Sequence, residues 1–215
     1  MIRIVLLLMT VVWSMCPKAE TLLVVGDSIS AGYGLDKLEE GWVALLQEKL
    51  KPRGIEVINA SISGDTTAGG LARIDALLER VRPVWVVIEL GGNDGLRGLT
   101  PTQMGANLTA MIEKARVGKV QVLLLGMQIP PNYGKRYADM FQSVYGEVAQ
   151  NASVGLVPFL LEGVGGQDSM MQADGIHPNR AAQPMLLEQV MKQLAPMLPA
   201  KNAQGSVVAL PAAGK

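Results

Sequence analysis

Residues 21–30 read Thr-Leu-Leu-Val-Val-Gly-Asp-Ser-Ile-Ser. Leu22, Leu23, Val24 and Val25 follow one another with no polar residue between them, the pattern of a strand covered on both faces rather than one with a wet side. Gly26 and Asp27 are residues that end strands and open turns. Similar short apolar runs recur at 56–60, 84–90, 120–125 and 155–159. With 22–25 they are expected to form five buried parallel strands.

Between these runs, apolar residues recur at helical spacing. Trp42, Leu45, Leu46 and Leu50 form one stripe, and Leu71, Ile74, Leu77, Leu78 and Val81 a second. Leu108, Met111, Ile112 and Ala115 form a third, opened by Thr100 as N-cap and Pro101 at the first helical position. Tyr137, Met140, Phe141, Val144, Tyr145 and Val148 form a fourth. A last helix is expected to run to about Leu198, with Pro184 either starting its regular part or kinking it. Strand and helix alternate with no internal repeat. The expected fold is α/β: three layers, α/β/α, around a central five-stranded parallel sheet.

At 215 residues the chain fits one domain, and its 49% hydrophobic content supplies a sizeable core. Charges are interspersed and sum to zero, so no basic stripe argues for nucleic acid or an anionic membrane surface as partner. Arg3, the mostly apolar stretch 4–15 and the small residue Ala19 read as a secretory signal over 1–19. That stretch is shorter than the roughly 20 apolar residues that span a bilayer. No stable membrane anchor is expected once it is removed, and the mature protein is expected in the periplasm or outside the cell. Cys16, the sole cysteine, would leave with the signal, and with it any disulfide, thiol nucleophile or thiolate metal site. The domain proper is then 20–198, and 199–215, rich in Ala, Gly and Pro, reads as a flexible tail.

Open parallel sheets bind ligands beyond the C-terminal ends of their strands. Those positions carry Gly26-Asp27-Ser28-Ile29-Ser30, Ser61-Ile62-Ser63-Gly64-Asp65 and Gly91-Gly92-Asn93-Asp94, and Asp174-Gly175-Ile176-His177-Pro178 lies near the C-terminus. Taken alone, Ser28 is more often an N-cap than a nucleophile, because a serine hydroxyl stays weak until a base takes its proton. His177 is the only histidine, and imidazole is the side chain that ordinarily titrates near neutrality. Asp174, three residues earlier, can share a face with it and accept the proton of one ring nitrogen, leaving the other free. The Gly64 N–H and the Asn93 amide are candidate donors to an oxyanion. Singly, each also reads as an ordinary turn residue.

Taken together, Gly-Asp-Ser, Asn-Ala-Ser-Ile-Ser-Gly-Asp, Gly-Gly-Asn-Asp and Asp-Gly-Ile-His-Pro, in this order, resemble the four signature blocks of the SGNH (GDSL) hydrolase superfamily. The longer stretches 91–98, 130–134 and 171–178 are similar to its bacterial periplasmic thioesterase I, lysophospholipase L1 and arylesterase branch. The resemblance covers Thr21 to about Leu198. It implies a flavodoxin-like three-layer fold and hydrolysis of carboxylic acyl esters and thioesters, lysophospholipids among them, through an acyl-enzyme. By the same resemblance Ser28 is the nucleophile, Asp174 and His177 complete a triad, and the Ser28 N–H, the Gly64 N–H and Asn93 form an oxyanion hole. No metal and no cofactor is expected, and the protein is expected to be a monomer.

Other readings fit less well. The residue two past Ser28 is Ser30, so the Gly-x-Ser-x-Gly elbow is absent. Lys37 stands where a dinucleotide-binding loop would need its last glycine, and no H-E-x-x-H occurs. A carbohydrate O-acetylesterase on the same scaffold is the nearer rival, and a non-catalytic binding module the more distant one. Leu96, Leu99, Ile129 and Pro130 could line an acyl groove or merely pack loops. Coenzyme A thioesters are cytosolic, so an exported enzyme is expected to act on lysophospholipids or other esters first.

Overall fold

The computed structural model describes residues 19–200; the signal expected over 1–19 and the tail expected over 199–215 lie almost wholly outside the described residues. All five apolar runs form strands: β1 (Glu20–Gly26), β2 (Ile55–Asn59), β3 (Trp85–Glu89), β4 (Gln121–Leu125) and β5 (Gly155–Val157). Every pairing is parallel, in the order β2-β1-β3-β4-β5. Leu22 to Val25 are sealed from solvent, as are Val86 to Ile88 beside them, which is why neither run alternates with polar residues.

The helices are α1 (Ser28–Ala31), α2 (Trp42–Leu50), α3 (Thr67–Val81), α4 (Gly92–Leu96), α5 (Pro101–Val117), α6 (Lys135–Ala152) and α7 (Gln183–Leu194). α3, α5 and α6 pack side by side on one face of the sheet, and α2 packs with α7 on the other. Thr100 caps α5, accepting the Gln103 N–H at 3.3 Å, with Pro101 in the first turn. The chain runs outward from β1 to β2, then crosses back to β3. The order therefore reverses between β1 and β3, and a crevice opens beyond their C-terminal ends. Gly26-Asp27-Ser28 leaves one side of that crevice and Gly91-Gly92-Asn93 the other.

Some expectations are corrected. β5 stops at Val157 instead of reaching residue 159, because Pro158 has no N–H to continue the ladder. Pro184 sits in the first turn of α7 and starts it rather than kinking it. The helix ends at Leu194 and tightens into a 3-10 turn, Ala195–Met197, since Pro196 cannot donate to a carbonyl one turn back. Met140 lies on the outer edge of its stripe and is 45% exposed. The short helices α1 and α4 have no periodicity of their own and were not expected.

Two contacts fasten the C-terminal segment to the sheet. The Trp85 indole donates to the Met197 carbonyl at 3.1 Å, and the Arg53 guanidinium to the Pro199 carbonyl. At the opposite end of the sheet, Gly126 follows β4 where the chain beyond β5 presses against it. A β-carbon there would meet the Pro158 carbonyl oxygen at 2.3 Å, and backbone cannot swing aside as a side chain can. Gly126→Ala should therefore lower the unfolding free energy by about 1–3 kcal/mol, the usual cost of overpacking, read as an earlier urea midpoint with unchanged slope.

Candidate active site

β1 delivers Asp27 and Ser28 to the crevice. Asp27, not Ser28, caps α1: its Oδ1 accepts the Ile29 N–H at 3.0 Å. Ser28 is left as the first helical residue with its hydroxyl uncommitted to the backbone. That hydroxyl lies 2.8 Å from His177 Nε2, and His177 Nδ1 lies 2.6 Å from Asp174 Oδ2. For the serine to donate to Nε2, the ring proton must sit on Nδ1, the nitrogen that faces the carboxylate.

Asp174 is set by its own turn. Its Oδ1 accepts the Ile176 N–H at 2.9 Å and the His177 N–H at 3.0 Å. Backbone donation from His177, then donation from its ring, hold the Asp174 carboxyl at about 2, below the usual aspartate range. The turn is docked by neighbours that sequence reasoning missed. Gln172 Nε2 donates to the Tyr33 carbonyl at 2.8 Å, and the Tyr33 ring packs against the imidazole at 4.6 Å between centroids. Gln183, nearly fully buried, accepts the Trp42 N–H and donates to the Pro178 carbonyl, joining α2, α7 and the histidine loop.

Asn93 lies in the first turn of α4 and donates through Nδ2 to Asp27 Oδ2 at 3.0 Å. One amide hydrogen is so consumed; the other has no acceptor among the described residues. Asn93, Ser28 and His177 line one cavity of about 400 Å³. Gly64 does not line it, but its loop is drawn to the serine turn by the Ile62 N–H, which donates to the Gly26 carbonyl at 3.0 Å. Gly64 has φ +79°, a left-handed conformation that glycine adopts without strain, and Arg97 holds its carbonyl at 2.9 Å.

The two candidate donor segments are bolted together beneath. Asp94, which the sequence presents as a simple turn residue, is 3% exposed and accepts the Thr67 N–H at 2.9 Å and the Thr67 hydroxyl at 2.5 Å. Asn107 donates to the same hydroxyl at 3.0 Å. The start of α3, just past Gly64, is thereby tied to α4, which carries Asn93. The sequence signal was the pair of polar residues at helix starts, Thr67 and Asp94, but nothing local shows that they meet.

Apart from Asp27 and Gln128, the rest of the cavity lining is apolar or glycine. Leu96, Met127, Ile129, Pro130, Phe159 and Leu161 form its walls. Leu99, expected among them, is 44% exposed and outside it, because Gly98 at φ +67° turns the chain away after α4. Among the described residues no cluster of three His, Cys, Asp or Glu could hold a metal ion.

The GDSL-like Lipase/Acylhydrolase family profile matches residues 24–183. Esterase TesA of Pseudomonas aeruginosa is 62% identical over 182 residues, 84% of this chain and 90% of that protein. The Escherichia coli K12 protein named Thioesterase 1/protease 1/lysophospholipase L1 is 45% identical over 180 residues, 84% of this chain and 86% of that one. A crystal structure of TesA superimposes with TM-score 0.81 at 62% identity, covering 83% of this chain and all of that one.

Thr67→Val keeps the shape but removes one donor from the buried Asp94 carboxyl and one acceptor from Asn107. The expected loss is about 1.5–3 kcal/mol of unfolding free energy, read by urea denaturation; a neutral result would show that water replaces both bonds.

Proposed function

Since the chain belongs to the GDSL-like lipase/acylhydrolase (SGNH) family and is an esterase of it, we propose that Ser28 attacks the acyl carbonyl while His177, oriented by Asp174, removes its proton. The observation that carries this is the continuous chain from Ser28 Oγ through the imidazole to Asp174, opening onto an apolar cavity. The developing oxyanion is received by the Ser28 and Gly64 N–H groups and the free hydrogen of the Asn93 amide. The protonated imidazole then hands its proton to the leaving alkoxide or thiolate. Water, deprotonated by the same imidazole, releases the acyl-enzyme.

The substrate class follows from the walls. Leu96, Met127, Ile129, Pro130 and Leu161 suit an aliphatic acyl chain. Phe159 is the sole Phe, Tyr or Trp in the lining, too little for the aromatic platform that a sugar prefers, so carbohydrate deacetylation is the weaker reading. Relatives named esterase, thioesterase and lysophospholipase support fatty acyl esters, lysophospholipids and thioesters as substrates. With the signal read at 1–19, the ester substrates met in the periplasm or outside the cell come first. One chain supplies every group of the site, as a monomeric enzyme requires, and none of the proposed steps calls for a metal or cofactor.

Ser28→Ala should lower kcat by several orders of magnitude with the fold intact, and an alkyl phosphonate should label Ser28 alone. Residual activity near the parent level would overturn the assignment. A panel of aryl esters of graded chain length, lysophospholipid, acyl-CoA and acetylated sugar should rank the fatty acyl esters above the acetylated sugar.

The pH profile has a defined sign. Asp174 stays ionised down to about 2, so it contributes nothing to acid loss at milder pH. Burial pushes Asp27 up to about 6, and below that value it takes a proton and weakens as acceptor for Asn93. On acidification through about pH 6, kcat/KM should therefore fall; a flat profile there would contradict the mechanism.

A further inference from the structure

One buried carboxyl beside the nucleophile turn has no part in the steps above. Glu89 ends β3, is 0% exposed, and forms no ion pair among the described residues. Its Oε2 accepts the Asp27 N–H at 3.3 Å and the Ser30 hydroxyl at 2.7 Å, whereas Oε1 finds no donor among the described residues. Gly26 and Glu89 are register partners on adjacent strands, so Asp27 and Glu89 leave the sheet side by side with their carboxyl groups in contact.

Two buried carboxyls this close do not both ionise readily. The donors decide where the charge resides. Asp27 receives the Ile29 N–H and the Asn93 amide, one on each oxygen, while one oxygen of Glu89 is bare. The other titratable groups nearby bring no compensating cation to Glu89. Tyr145 of α6 donates its hydroxyl to the Leu90 carbonyl, Asp94 of α4 is committed to Thr67, and His177 acts on Asp27. Burial first, and Asp27 second, push the Glu89 carboxyl well above its ordinary range.

Building on the roles given above to Ser28 and Asn93, we propose that Glu89 is a neutral positioning residue that donates its carboxylic proton to Asp27. Asp27 is thereby kept anionic, and it anchors one hydrogen of the Asn93 amide so that the other points at the oxyanion. The proton also completes the bonding of the otherwise bare Glu89 oxygen. Glu89 touches no substrate; it acts through Asp27 on both the serine turn and the oxyanion amide.

Glutamine reproduces this pattern, since its oxygen accepts and its amide donates. Glu89→Gln should keep kcat near the parent level. Glu89→Met, of similar bulk but without the donor, should lose about tenfold or more in kcat with KM little changed. The parent should lose kcat on the alkaline side as Glu89 ionises, and Glu89→Gln should lack that limb.

Two readouts do not depend on catalysis. Infrared spectra at neutral pH should show the carbonyl stretch of a protonated carboxylic acid, absent from Glu89→Gln. Glutamate in an unfolded chain titrates near 4.5, whereas Glu89 keeps its proton to higher pH. Above 4.5 the native state therefore binds more protons than the unfolded one, and stability falls as pH rises. The melting temperature of Glu89→Gln relative to the parent should thus climb between about pH 5 and about pH 8. A missing band or a difference flat with pH overturns the neutral state. A Glu89→Gln variant that folds but falls as far as Glu89→Met overturns the positioning role. Full activity of Ser28→Ala would instead sink the assigned mechanism while leaving the band and the melting difference untouched.

Discussion

Asp27 accepts two hydrogen bonds from opposite walls of the crevice. On one side its Oδ1 takes the Ile29 N–H and thereby starts α1; on the other its Oδ2 takes the Asn93 amide across the gap between β1 and β3. The first bond frees Ser28 from capping duty, and the second fixes which hydrogen of Asn93 remains available. A single carboxylate thus holds Ser28, the proposed nucleophile, and Asn93, a proposed oxyanion donor, in register. It can do so because the strand order reverses between β1 and β3, leaving their C-terminal ends adjacent with no helix crossing between them.

The layers of this fold were legible because burial on both faces of a parallel strand forces a composition that nothing else needs. Residues 22–25 and 84–90 could hardly be read otherwise, and Pro101 and Thr100 marked the start of α5 by chemistry local to the turn. What stayed illegible was set by contacts between distant segments. Asp94 reads as a turn former, yet it is a buried anchor for Thr67, 27 positions away. Gln183 stands at the start of α7 with no local signal of its partners, yet it joins α2 to the histidine loop through Trp42, 141 residues away. Leu99 and Leu96 look alike in sequence, and only the left-handed Gly98 between them separates the wall of the cavity from its exterior. The candidate site was visible through the joint order of four short blocks; each residue by itself favoured a duller role.

The polar residues beneath the crevice carry a cost that the core must offset. Asp27, Glu89 and Asp94 are all buried at or just beyond the C-terminal ends of β1 and β3, and no lysine or arginine pairs with any of them among the described residues. Desolvating carboxylates without cations is unfavourable, and neutral donors only partly compensate. The Thr67 N–H and hydroxyl, the Ile29 N–H and the Asn93 amide are such donors. This burden sits at the end of a sheet whose central strands bury the apolar runs Leu22 to Val25 and Val86 to Ile88.

The two aspartates that flank Ser28 show how opposite environments divide the work. Asp174 is partly exposed, and backbone N–H groups together with the imidazole hold it at about 2, so it remains a fixed negative charge facing Nδ1. Asp27 is sealed, burial raises it to about 6, and its charge at neutral pH is only modestly favoured. An exposed carboxylate tolerates the ring cation that the proposed mechanism forms and removes with each proton transfer, because water and the turn N–H groups share the fluctuating charge. A buried one would respond to that cation far more strongly in a low-dielectric setting, which suits orienting an amide but not relaying a proton. Ser28 thus stands between a carboxylate tuned by hydrogen bonds and one tuned by burial, and exchanging the two environments would leave the imidazole without a steady partner and the amide without a rigid one.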